Sequence, residues 1–566
     1  MDTLEILKAA RDLLAAERAA EAYSLLLQGL AGHPETIEHL LVMADVLTEL
    51  DRPADATFAY RRILALDPTH ALAAQRIQDA VAAMEMLLRL AYTADEMGAW
   101  DEARENYEAV LHQDPESILA LTRLLSLDGV EGRLADADRH DAMLVRALAK
   151  ADLTKVHPNT LAMVAYRAIF RPLPHHSLLA VTDVLKRQTL KLAEDFGLLP
   201  APVAKASGRL RIGYLSIHFR DHPIGHVTAA LFAAHDRAKV EVHVFYLPMG
   251  DANPYTDQIK AGAEHFHTAS DAESMVRAIA RQNLDILITL DGYMAPFLLP
   301  VMARRPAPVQ VYWLGHAGAC EIAGIDYFLA DDTVVPPGEE TLYRPEVVRL
   351  PTYHPASPHA VGPDMTRAEA GLPDTAFVFC AFNNPDKIDT PTFDLWMRIL
   401  KRVPGSVLWL SRTQSAAIVE NLRREAEARG VAGSRLIFAA RVSDKAAHFA
   451  RHRHAGLFLD TLGLNASTTA LDALWAGVPL LTVTGPRFAS RIATTFLKTL
   501  DLPDLICRTP AEFEERAVAL AASPEALADI RKRLATNRTL GPLFQIEAFC
   551  RTLETALIGL HAKHRR

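Results

Sequence analysis

The feature that most constrains the fold is a segment that repeats within the first 115 residues. Three stretches, RAAEAYSLLLQGLAGHP, RPADATFAYRRILALDP and AWDEARENYEAVLHQDP, align without gaps and end at Pro34, Pro68 and Pro115. The first two prolines are 34 residues apart, and the third follows after 47, which is 34 plus an insert of 13. A period of this length indicates stacked units, because each unit buries its apolar face only against its neighbours.

Each unit has the same small and large residues at fixed distances before its proline. Alanine stands 12 positions before it, and larger residues stand eight and four before it; in chain order these are Ala22, Ala56, Ala103, then Leu26, Tyr60, Tyr107, then Leu30, Leu64, Leu111. Small residues let paired helices approach closely, and proline ends a helix. The pattern resembles tetratricopeptide repeats, with an ordinary helical bundle as the alternative. It predicts a helical solenoid over residues 1–120, then a helical extension and linker over residues 121–206.

Composition limits what else the chain contains. With 566 residues, half of them hydrophobic and 23% charged, a multidomain globular protein is predicted. A net charge of −9 gives no basic surface for nucleic acid, and no apolar run reaches the roughly 18 residues of a membrane span. The first residues, MDTLEILKAARDLL, do not resemble a signal peptide. The four cysteines are Cys320, Cys380, Cys507 and Cys550. They lie too far apart in sequence for a disulfide framework or a paired metal site, which favours a cytoplasmic location.

From about residue 207 the pattern changes to short apolar runs separated by helical segments. Runs without polar alternation are typical of strands buried on both faces of a parallel sheet. They fall in two groups, RIGYLS (211–216), VEVHVFYL (240–247), DILITL (285–290), VQVYWL (309–314) and YFLAD (327–331), then FVFCAF (377–382), SVLWL (406–410), RLIFAA (435–440), LFLD (457–460) and PLLTV (479–483). This predicts two doubly wound α/β domains, residues 207–365 and 366–566, whose ligands bind beyond the carboxyl ends of the strands.

One of these strand ends combines uncharged hydroxyls with the predicted start of a helix. In LFLDTLGLNASTTALDALWAGVPLL (457–481), Ser467, Thr468 and Thr469 precede Asp472 within the helical run. The free N–H groups of a helix start suit a phosphate, hydroxyls there donate to its oxygens, and Asp472 is placed to bind a ribose hydroxyl. Plain N-capping by Ser or Thr, with a solvated Asp, explains the same residues equally well.

A second cluster lies in RVSDKAAHFARHRH (441–454), where Lys445, His448 and Arg451 recur every three residues. On a helix this spacing places all three near one face. Such a face can bind a phosphate or ribose and stack on a planar base, although a solvated basic face is the more common explanation.

Two further clusters follow the first predicted strand of each α/β domain. CAFNNPDKID places Asn384 and Lys387 in a loop, and lysine is a natural counter-charge for a diphosphate. YLSIHFRDHPIGH carries His218, His222 and His226, and a histidine in a cleft can act as a general base near neutral pH. Taken singly, each of these histidines is more often structural.

Together these stretches resemble the O-linked N-acetylglucosamine transferase family, which includes the plant protein O-fucosyltransferases. The matching segments are FRDHPIGH, RPAPVQVYWLG, FNNPDKID, RVPGSVLWL, LDTLGLNASTTALDALWAGVP and ASR at 489–491. The resemblance implies a GT-B fold, in which two Rossmann-like α/β domains enclose a nucleotide sugar, in a divergent member of bacterial type. It also implies inverting transfer to Ser or Thr of a protein bound by the repeats, without a metal or other cofactor.

The resemblance implies a role for each candidate residue. His222 matches the histidine proposed as catalytic, and Lys387 matches the lysine that holds the leaving diphosphate. The implied nucleotide-sugar-binding residues are Asn384, Lys445, His448, Arg451, Ser467, Thr468, Thr469 and Asp472. As the base that takes the acceptor proton, His222 is the first candidate and Asp291, at the end of DILITLDG, is the second.

The chain departs from the family pattern around the sugar. Asn384 stands where the family has Gln, Ser467 where it has His, and HAGACE (316–321) where it has YPGTSG. These changes bear on which sugar is bound, because a lost pocket hydrogen bond alters discrimination. Three functions are therefore considered: a protein O-glycosyltransferase with a UDP-linked, GlcNAc-like donor, a transferase that uses another nucleotide sugar on flagellin or another surface protein, and a non-catalytic repeat scaffold with a vestigial nucleotide site. The retained lysine, histidine and threonine pair favour the transferases.

Overall fold

The chain forms a helical N-terminal region followed by two parallel sheets. The computed structural model describes residues 2–29, 35–197, 199, 208–250, 253–318, 320–411, 415–440, 442 and 444–564. Leu30 and Pro34 lie outside the described residues, as do residues 198 and 200–207 of the linker predicted over 198–208. The chain divides into two compact units, residues 1–127 with 139–151, and residues 128–138 with 152–566. No helix of the described part is long and apolar enough to cross a membrane.

The first unit consists of six helices and the greater parts of two more. These are α1 (Thr3–Ala15), α2 (Ala19–Gly29), α3 (Ile37–Glu49), α4 (Pro53–Leu66), α5 (Ala71–Glu96), α6 (Trp100–Gln113), α7 (Ile118–Glu131) and α8 (Leu134–Lys150). Helix α5 has 26 residues, whereas α1 and α3 have 13 each. The 13-residue insert therefore lengthens one helix, by about three and a half turns.

The residues that repeat in the sequence form the cores between paired helices. Ala22, Ala56 and Ala103 are at most 4% exposed, and Tyr60 and Tyr107 at most 7%. Helices α1 and α2, α3 and α4, and α5 and α6 pack against each other as three successive pairs. The predicted tetratricopeptide solenoid is confirmed.

The second unit begins with two helices and a seven-stranded parallel sheet. Its elements are α9 (Pro158–Arg167), α10 (His175–Glu194), β1 (Leu210–Ser216), α11 (Pro223–Thr228), α12 (Leu231–Ala234), β2 (Val240–Tyr246), α13 (Pro254–Gly262), β3 (His265–Thr268), α14 (Ala272–Gln282), β4 (Ile286–Thr289), α15 (Leu299–Ala303), β5 (Val309–Tyr312), β6 (Tyr327–Ala330) and β7 (Glu346–Arg349). The strand order is β3-β2-β1-β4-β5-β6-β7, and all neighbours run parallel.

A second parallel sheet follows, with six strands in the order β10-β9-β8-β11-β12-β13. Its elements are β8 (Val378–Ala381), α16 (Thr390–Arg402), β9 (Val407–Ser411), α17 (Ala417–Ala428), β10 (Leu436–Ala439), α18 (Lys445–His452), β11 (Leu457–Leu459), α19 (Thr468–Trp475), β12 (Leu480–Val483), α20 (Ile492–Thr499), β13 (Ile506–Cys507), α21 (Pro510–Ala522), α22 (Pro524–Leu540) and α23 (Ile546–His564). The predicted fold class, a helical solenoid followed by two Rossmann-like α/β domains, is confirmed.

Three strands were not predicted from the sequence, and all three lie at sheet edges. β3 and β7 are the two edges of the first sheet, and β13 is one edge of the second. Their sequences are HFHT, EVVR and IC, and the side chains of β3 and β7 are partly or fully exposed. Edge strands have a neighbour on one side only and can therefore carry polar residues, although the fourth edge strand, β10, is apolar and was predicted.

The helix α23 follows the second sheet in the chain but packs on the first. Its apolar face joins the core of the first sheet, where the ring of Phe549 stacks on Trp313 with centroids 5.9 Å apart. Its Glu554 Oε1 accepts hydrogen bonds from His235 Nδ1 at 2.9 Å and from the Asp236 N–H at 2.8 Å. Sequence analysis grouped these residues with the second α/β domain, whereas in the structure they complete the core of the first.

Candidate functional site

Except for Lys445, His448 and Arg451, which follow the edge strand β10, the predicted site residues lie in or directly after the segments where the strand order of each sheet reverses. In the first sheet β1 and β4 are neighbours, and in the second β8 and β11 are neighbours. Doubly wound sheets bind their ligands beyond the carboxyl ends of the strands at such points. The segments after these four strands carry His222, Asp291, Lys387 and residues 460–469.

A buried carboxylate holds the loop between β11 and α19. Asp460 Oδ1 accepts from the backbone N–H groups of Thr461 and Ala466 at 2.8 and 2.7 Å, and its Oδ2 accepts from Thr482 Oγ1 at 2.7 Å. Burial raises the pKa of Asp460 to about 6, although these hydrogen bonds favour the ionised form. Sequence analysis missed Asp460, but a lone carboxylate directly after a buried strand was visible in LFLD.

Lys387 reaches from the end of β8 to the segment before α19. Its Nζ donates to the carbonyl oxygen of Asn465 at 2.9 Å. Burial lowers the pKa of Lys387 to about 8, against the opposing effect of the Asp460 charge. Among the described residues, the backbone N–H groups of Thr468 and Thr469 find no protein acceptor. An ammonium group and free helix N–H groups therefore follow the neighbouring strands β8 and β11, an arrangement suited to a diphosphate.

The asparagine pair after β8 divides its roles differently from the prediction. Asn383 is buried, and its Oδ1 accepts from Thr469 Oγ1 at 2.7 Å while its Nδ2 donates to Thr461 Oγ1 at 3.3 Å. Asn384 is exposed, and its Oδ1 accepts from the Asp386 N–H at 3.3 Å. Asn383 thus ties β8 to the helix start, whereas Asn384 caps a local turn.

Ser467, which replaces the family histidine, contacts an imidazole from the connection between the sheets. Its Oγ lies 3.0 Å from His354 Nε2, and His354 Nδ1 lies 2.9 Å from the carbonyl oxygen of Pro355. The carbonyl requires a proton on Nδ1, so Nε2 accepts the hydroxyl of Ser467. Burial lowers the pKa of His354 to about 4, which keeps this ring neutral near pH 7.

Three of the predicted nucleotide-binding residues meet at the first turns of α18 and α19. Lys445 Nζ lies 2.5 Å from Asp472 Oδ2, and His448 Nε2 lies 3.6 Å from the same oxygen. Burial alone would raise the pKa of Asp472, but the nearby imidazole of His448 and the charge of Lys445 hold it below its usual range. Asp472 is therefore an ionised acceptor at neutral pH, as a ribose-binding carboxylate must be.

Arg451 lies behind this cluster rather than within it. Its guanidinium donates to the carbonyl oxygen of Ala440 and to His448 Nδ1, each at 2.6 Å, and lies 4.9 Å from the ring centroid of Phe382. Burial lowers the pKa of Arg451 to about 10. Because Arg451 donates to Nδ1, the proton of a neutral His448 ring lies on Nε2, directed at Asp472. Arg451, for which stacking on the base was considered, thus orients His448.

In the first sheet, His218 and Asp291 form a pair that sequence analysis did not single out. His218 Nδ1 lies 2.7 Å from Asp291 Oδ1, which also accepts from Ser216 Oγ at 2.8 Å, and Asp291 Oδ2 accepts from the Ile217 N–H at 2.9 Å. Asp291 is fully buried, so it is placed to orient an imidazole rather than to meet an acceptor. The carboxylate holds a proton on Nδ1 of His218 and leaves Nε2 as a proton acceptor.

His222, the first candidate for the base, stacks on His218 with ring centroids 3.8 Å apart. Its Nδ1 accepts from the Ile224 N–H at 3.3 Å and so caps α11. Burial, together with the charges of His218, Arg220 and His226, lowers the pKa of His222 to about 2. A neutral ring that accepts through Nδ1 carries its proton on Nε2, where it is a hydrogen-bond donor.

A narrow pocket joins the two sheets at this place. Residues from both domains and from their connection line it, among them His226, His359, Thr468 and Asp472. His226 Nε2 lies 2.7 Å from Asp221 Oδ1, and burial lowers the pKa of His226. The helix start of α19 and the histidine segment after β1 therefore border one cleft.

The altered segment 316–321 is filled by aromatic packing. His316 is buried, and its ring meets Tyr293 edge-on with centroids 5.2 Å apart. Its carbonyl oxygen accepts from Tyr312 Oη at 2.6 Å, and the Glu321 N–H donates to Tyr293 Oη at 2.8 Å. Ala319 lies outside the described residues. Side chains of this segment thus occupy space beside the carboxyl end of β5.

Two doubly wound α/β domains that border one cleft define a GT-B glycosyltransferase fold. The family model of "Glycosyl transferase family 41" matches residues 142–354 and 356–553, which is more than half of the chain. The chain belongs to glycosyl transferase family 41.

Relatives and a solved structure agree with this family. In Arabidopsis thaliana, the protein named "Probable UDP-N-acetylglucosamine--peptide N-acetylglucosaminyltransferase SEC" is 33% identical over 392 residues, covering 66% of this chain and 40% of its own length. The Caenorhabditis elegans "UDP-N-acetylglucosamine--peptide N-acetylglucosaminyltransferase" is 27% identical over 540 residues, covering 72% and 46%. The structure of a mutant O-GlcNAc transferase from Thermobaculum terrenum has a TM-score of 0.67 at 25% identity and covers 93% of this chain and 98% of that one. The chain spans less than half the length of these two curated relatives.

Proposed function

We propose that the protein is an inverting, metal-independent glycosyltransferase that moves a sugar from a UDP-linked, GlcNAc-like donor to Ser or Thr of a protein. The observation that carries this proposal is the contact of Lys387, at the end of β8, with Asn465 in the segment that leads into the free N–H groups of α19. The names of the relatives, which are peptide N-acetylglucosaminyltransferases with a UDP-linked donor, support the same donor and acceptor class.

The leaving group is stabilised by charge in this proposal. As the acceptor oxygen bonds to the anomeric carbon, the bond from that carbon to the diphosphate breaks and its electron pair stays on the leaving oxygen. Lys387 and the N–H groups of Thr468 and Thr469 supply positive charge there, which is the task of a divalent cation in other transferases. Asp460 fixes the loop that positions them.

The acceptor hydroxyl loses a proton in the same step, and His218 is our choice of base. Its Nδ1 is held by Asp291 at 2.7 Å, so Nε2 takes the proton and the Asp291 carboxylate stabilises the imidazolium that forms. His222, with its proton on Nε2, is assigned to donate a hydrogen bond to donor or acceptor.

Incubating the full-length protein with a panel of nucleotide sugars, in the presence of EDTA, tests the function. We expect UDP release from a UDP-linked N-acetylhexosamine, with Lys387→Ala as the negative control, because no step relies on a metal. If the nucleoside diphosphate is released only from another nucleotide sugar, the result favours a transferase for a different sugar. Nucleotide binding with no release from any donor, with or without added Mg²⁺ and Mn²⁺, would favour the non-catalytic scaffold. Release only with added metal would refute metal independence.

Asp472→Asn should weaken the binding of UDP and of UMP equally, by about 1–3 kcal/mol, because both ligands carry the ribose that loses a charged hydrogen bond. Calorimetry measures both affinities. Lys387→Ala is the matched control, since it should weaken UDP alone. Unchanged affinities, with only a lower Tm from breaking the 2.5 Å Lys445–Asp472 ion pair, would make Asp472 a structural residue.

The rate should fall above about pH 8. Lys387 acts as a cation, and burial lowers its pKa to about 8, so the free enzyme loses this charge as the pH rises through that value. The profile of kcat/KM against pH reports the free enzyme and is the measurement to make. In Lys387→Arg the residual activity should persist to higher pH, because a guanidinium stays charged. If the alkaline limb of the pH profile is unchanged in Lys387→Arg, a group other than Lys387 causes the fall in rate.

The repeats are proposed to bind the acceptor protein, in a reducing compartment such as the cytoplasm. All four cysteines are buried and unpaired, which fits a reducing compartment.

The surface of the repeats that we assign to the acceptor is a groove between α2, α3 and α4. It exposes apolar side chains, with Leu27 53% and Phe58 60% exposed. Phe58→Ser should lower kcat/KM for a protein acceptor but not donor hydrolysis, whereas Leu4→Ser, exposed outside the groove, should change neither. If both variants transfer the sugar to the protein acceptor with the same kcat/KM, this groove does not recognise the acceptor.

A further inference from the structure

Four side chains of metal-ligand type lie on one face at the edge of the first sheet. In the parallel register of β2 and β3, His243 is opposite His265, and His267 follows two residues further along β3. Glu241 precedes His243 by two residues. Because side chains two apart on a strand point to the same side, all four share one face.

The ligand atoms of three of these residues converge. Glu241 Oε1 lies 3.2 Å from His243 Nε2 and 3.1 Å from His265 Nε2, and all three atoms lie within 4.8 Å of one another. Tetrahedral ligands about 2.0–2.1 Å from a zinc ion are separated by about 3.3–3.5 Å. The carboxylate-to-imidazole spacings are therefore already close to those of a zinc site.

The remaining atoms of the ligand side chains are held by neighbours. His243 Nδ1 lies 3.3 Å from His267 Nε2, and Glu241 Oε2 lies 3.4 Å from Arg209 Nη2. A metal on Nε2 of His243 requires a proton on Nδ1, and His267 Nε2 is placed to accept it. Outer partners of this kind fix the orientation of metal ligands.

The cluster is open on one side. The His243 side chain is 3% exposed, Glu241 24% and His265 45%, so water can reach the point where the three atoms meet.

We propose that Glu241, His243 and His265 bind a zinc ion, with water in the fourth position, and that His267 orients His243. Two imidazoles and a carboxylate are ligands that zinc prefers. The ion would clamp the four-residue edge strand β3 to β2. The site is separate from the proposed transfer reaction, whose residues follow β1, β4, β8 and β11, and it does not depend on that function.

Zinc titration of the untagged, chelator-treated full-length protein against a chromophoric zinc indicator tests the site. We expect one tight site per chain, weakened at least tenfold in His265→Ala and Glu241→Gln, since even outer-partner changes weaken metal sites about 10–100-fold. His112→Ala is the matched control, because this 51% exposed histidine pairs with Asp51 outside the cluster and its loss should change nothing.

Thermal unfolding with and without zinc gives a second readout that does not depend on the indicator. Zinc should raise the Tm of the wild type and of His112→Ala but not that of His265→Ala. The His265 side chain is 45% exposed, so its removal should leave the fold intact. Equal zinc affinity in the wild type and His265→Ala, or a Tm that zinc shifts equally in both, would overturn the proposal.

Discussion

Replacing Lys387 with alanine should lower kcat by about 10²–10³ and change KM for the donor much less. The reason is that negative charge on the diphosphate grows as the sugar bond breaks, so the ammonium group acts more strongly in the transition state than in the bound substrate. The Nζ of Lys387 is already fixed 2.9 Å from the Asn465 carbonyl, beside the start of α19. Steady-state kinetics with a saturating acceptor give both constants.

Two further variants make this result specific. Lys387→Arg should recover only part of kcat, because a planar guanidinium does not replace a compact ammonium in a partly buried position. Lys401→Ala, an exposed lysine on α16, should have wild-type kinetics. If kcat of Lys387→Ala stays within a factor of about three of wild type, the lysine is structural and only holds the Asn465 carbonyl.

Replacing His218 with alanine should lower kcat by about 10²–10⁴, the usual contribution of a general base. UDP affinity should stay unchanged, because the nucleotide is assigned to the other sheet. His222→Ala should lower kcat less, since the ring of His222 accepts through Nδ1 from the Ile224 N–H and presents a donor. The two variants are compared in the same transfer assay.

Chemical rescue decides whether His218 moves a proton or supports the fold. Added imidazole should restore part of the rate of His218→Ala and none of the rate of Lys387→Ala. Asp291→Asn should displace the acidic limb of the pH profile and leave the alkaline limb, which is assigned to Lys387, in place, because the carboxylate that holds the proton on Nδ1 of His218 is lost. A larger loss in His222→Ala than in His218→Ala, with no rescue of the latter, would return the base role to His222.

The fold was predictable where burial leaves a periodic mark in the sequence. The repeat alanines and tyrosines recur because paired helices must approach closely. Nine of the ten predicted strands are internal, with a strand on either side, and such strands are typically apolar. β3, β7 and β13 were missed since an edge strand tolerates polar residues such as those of HFHT. The long insert in α5 was recognised as an insert, but its helical form was not predicted.

The place of the candidate site was predictable, but the partners of its side chains were not. Strand ends indicate where a doubly wound sheet binds ligands, and this rule is enough to select Lys387 and the start of α19. Which ring nitrogen of a histidine is free depends on contacts between residues far apart in sequence. His218 and Asp291 are such a pair, and nothing in IHFRDHPIGH distinguishes His218 from His222.

The packing of α23 has a consequence for the order in which the protein forms during synthesis. Domains generally fold as units from the N-terminal side as they leave the ribosome. Here the core of the first sheet, including Trp313, stays open to solvent until Phe549 and Leu553 have been made, and these follow the whole second α/β domain. The nascent first domain therefore exposes an apolar surface while the second domain is translated. A chaperone that covers this surface would have to stay bound until α23 has been made.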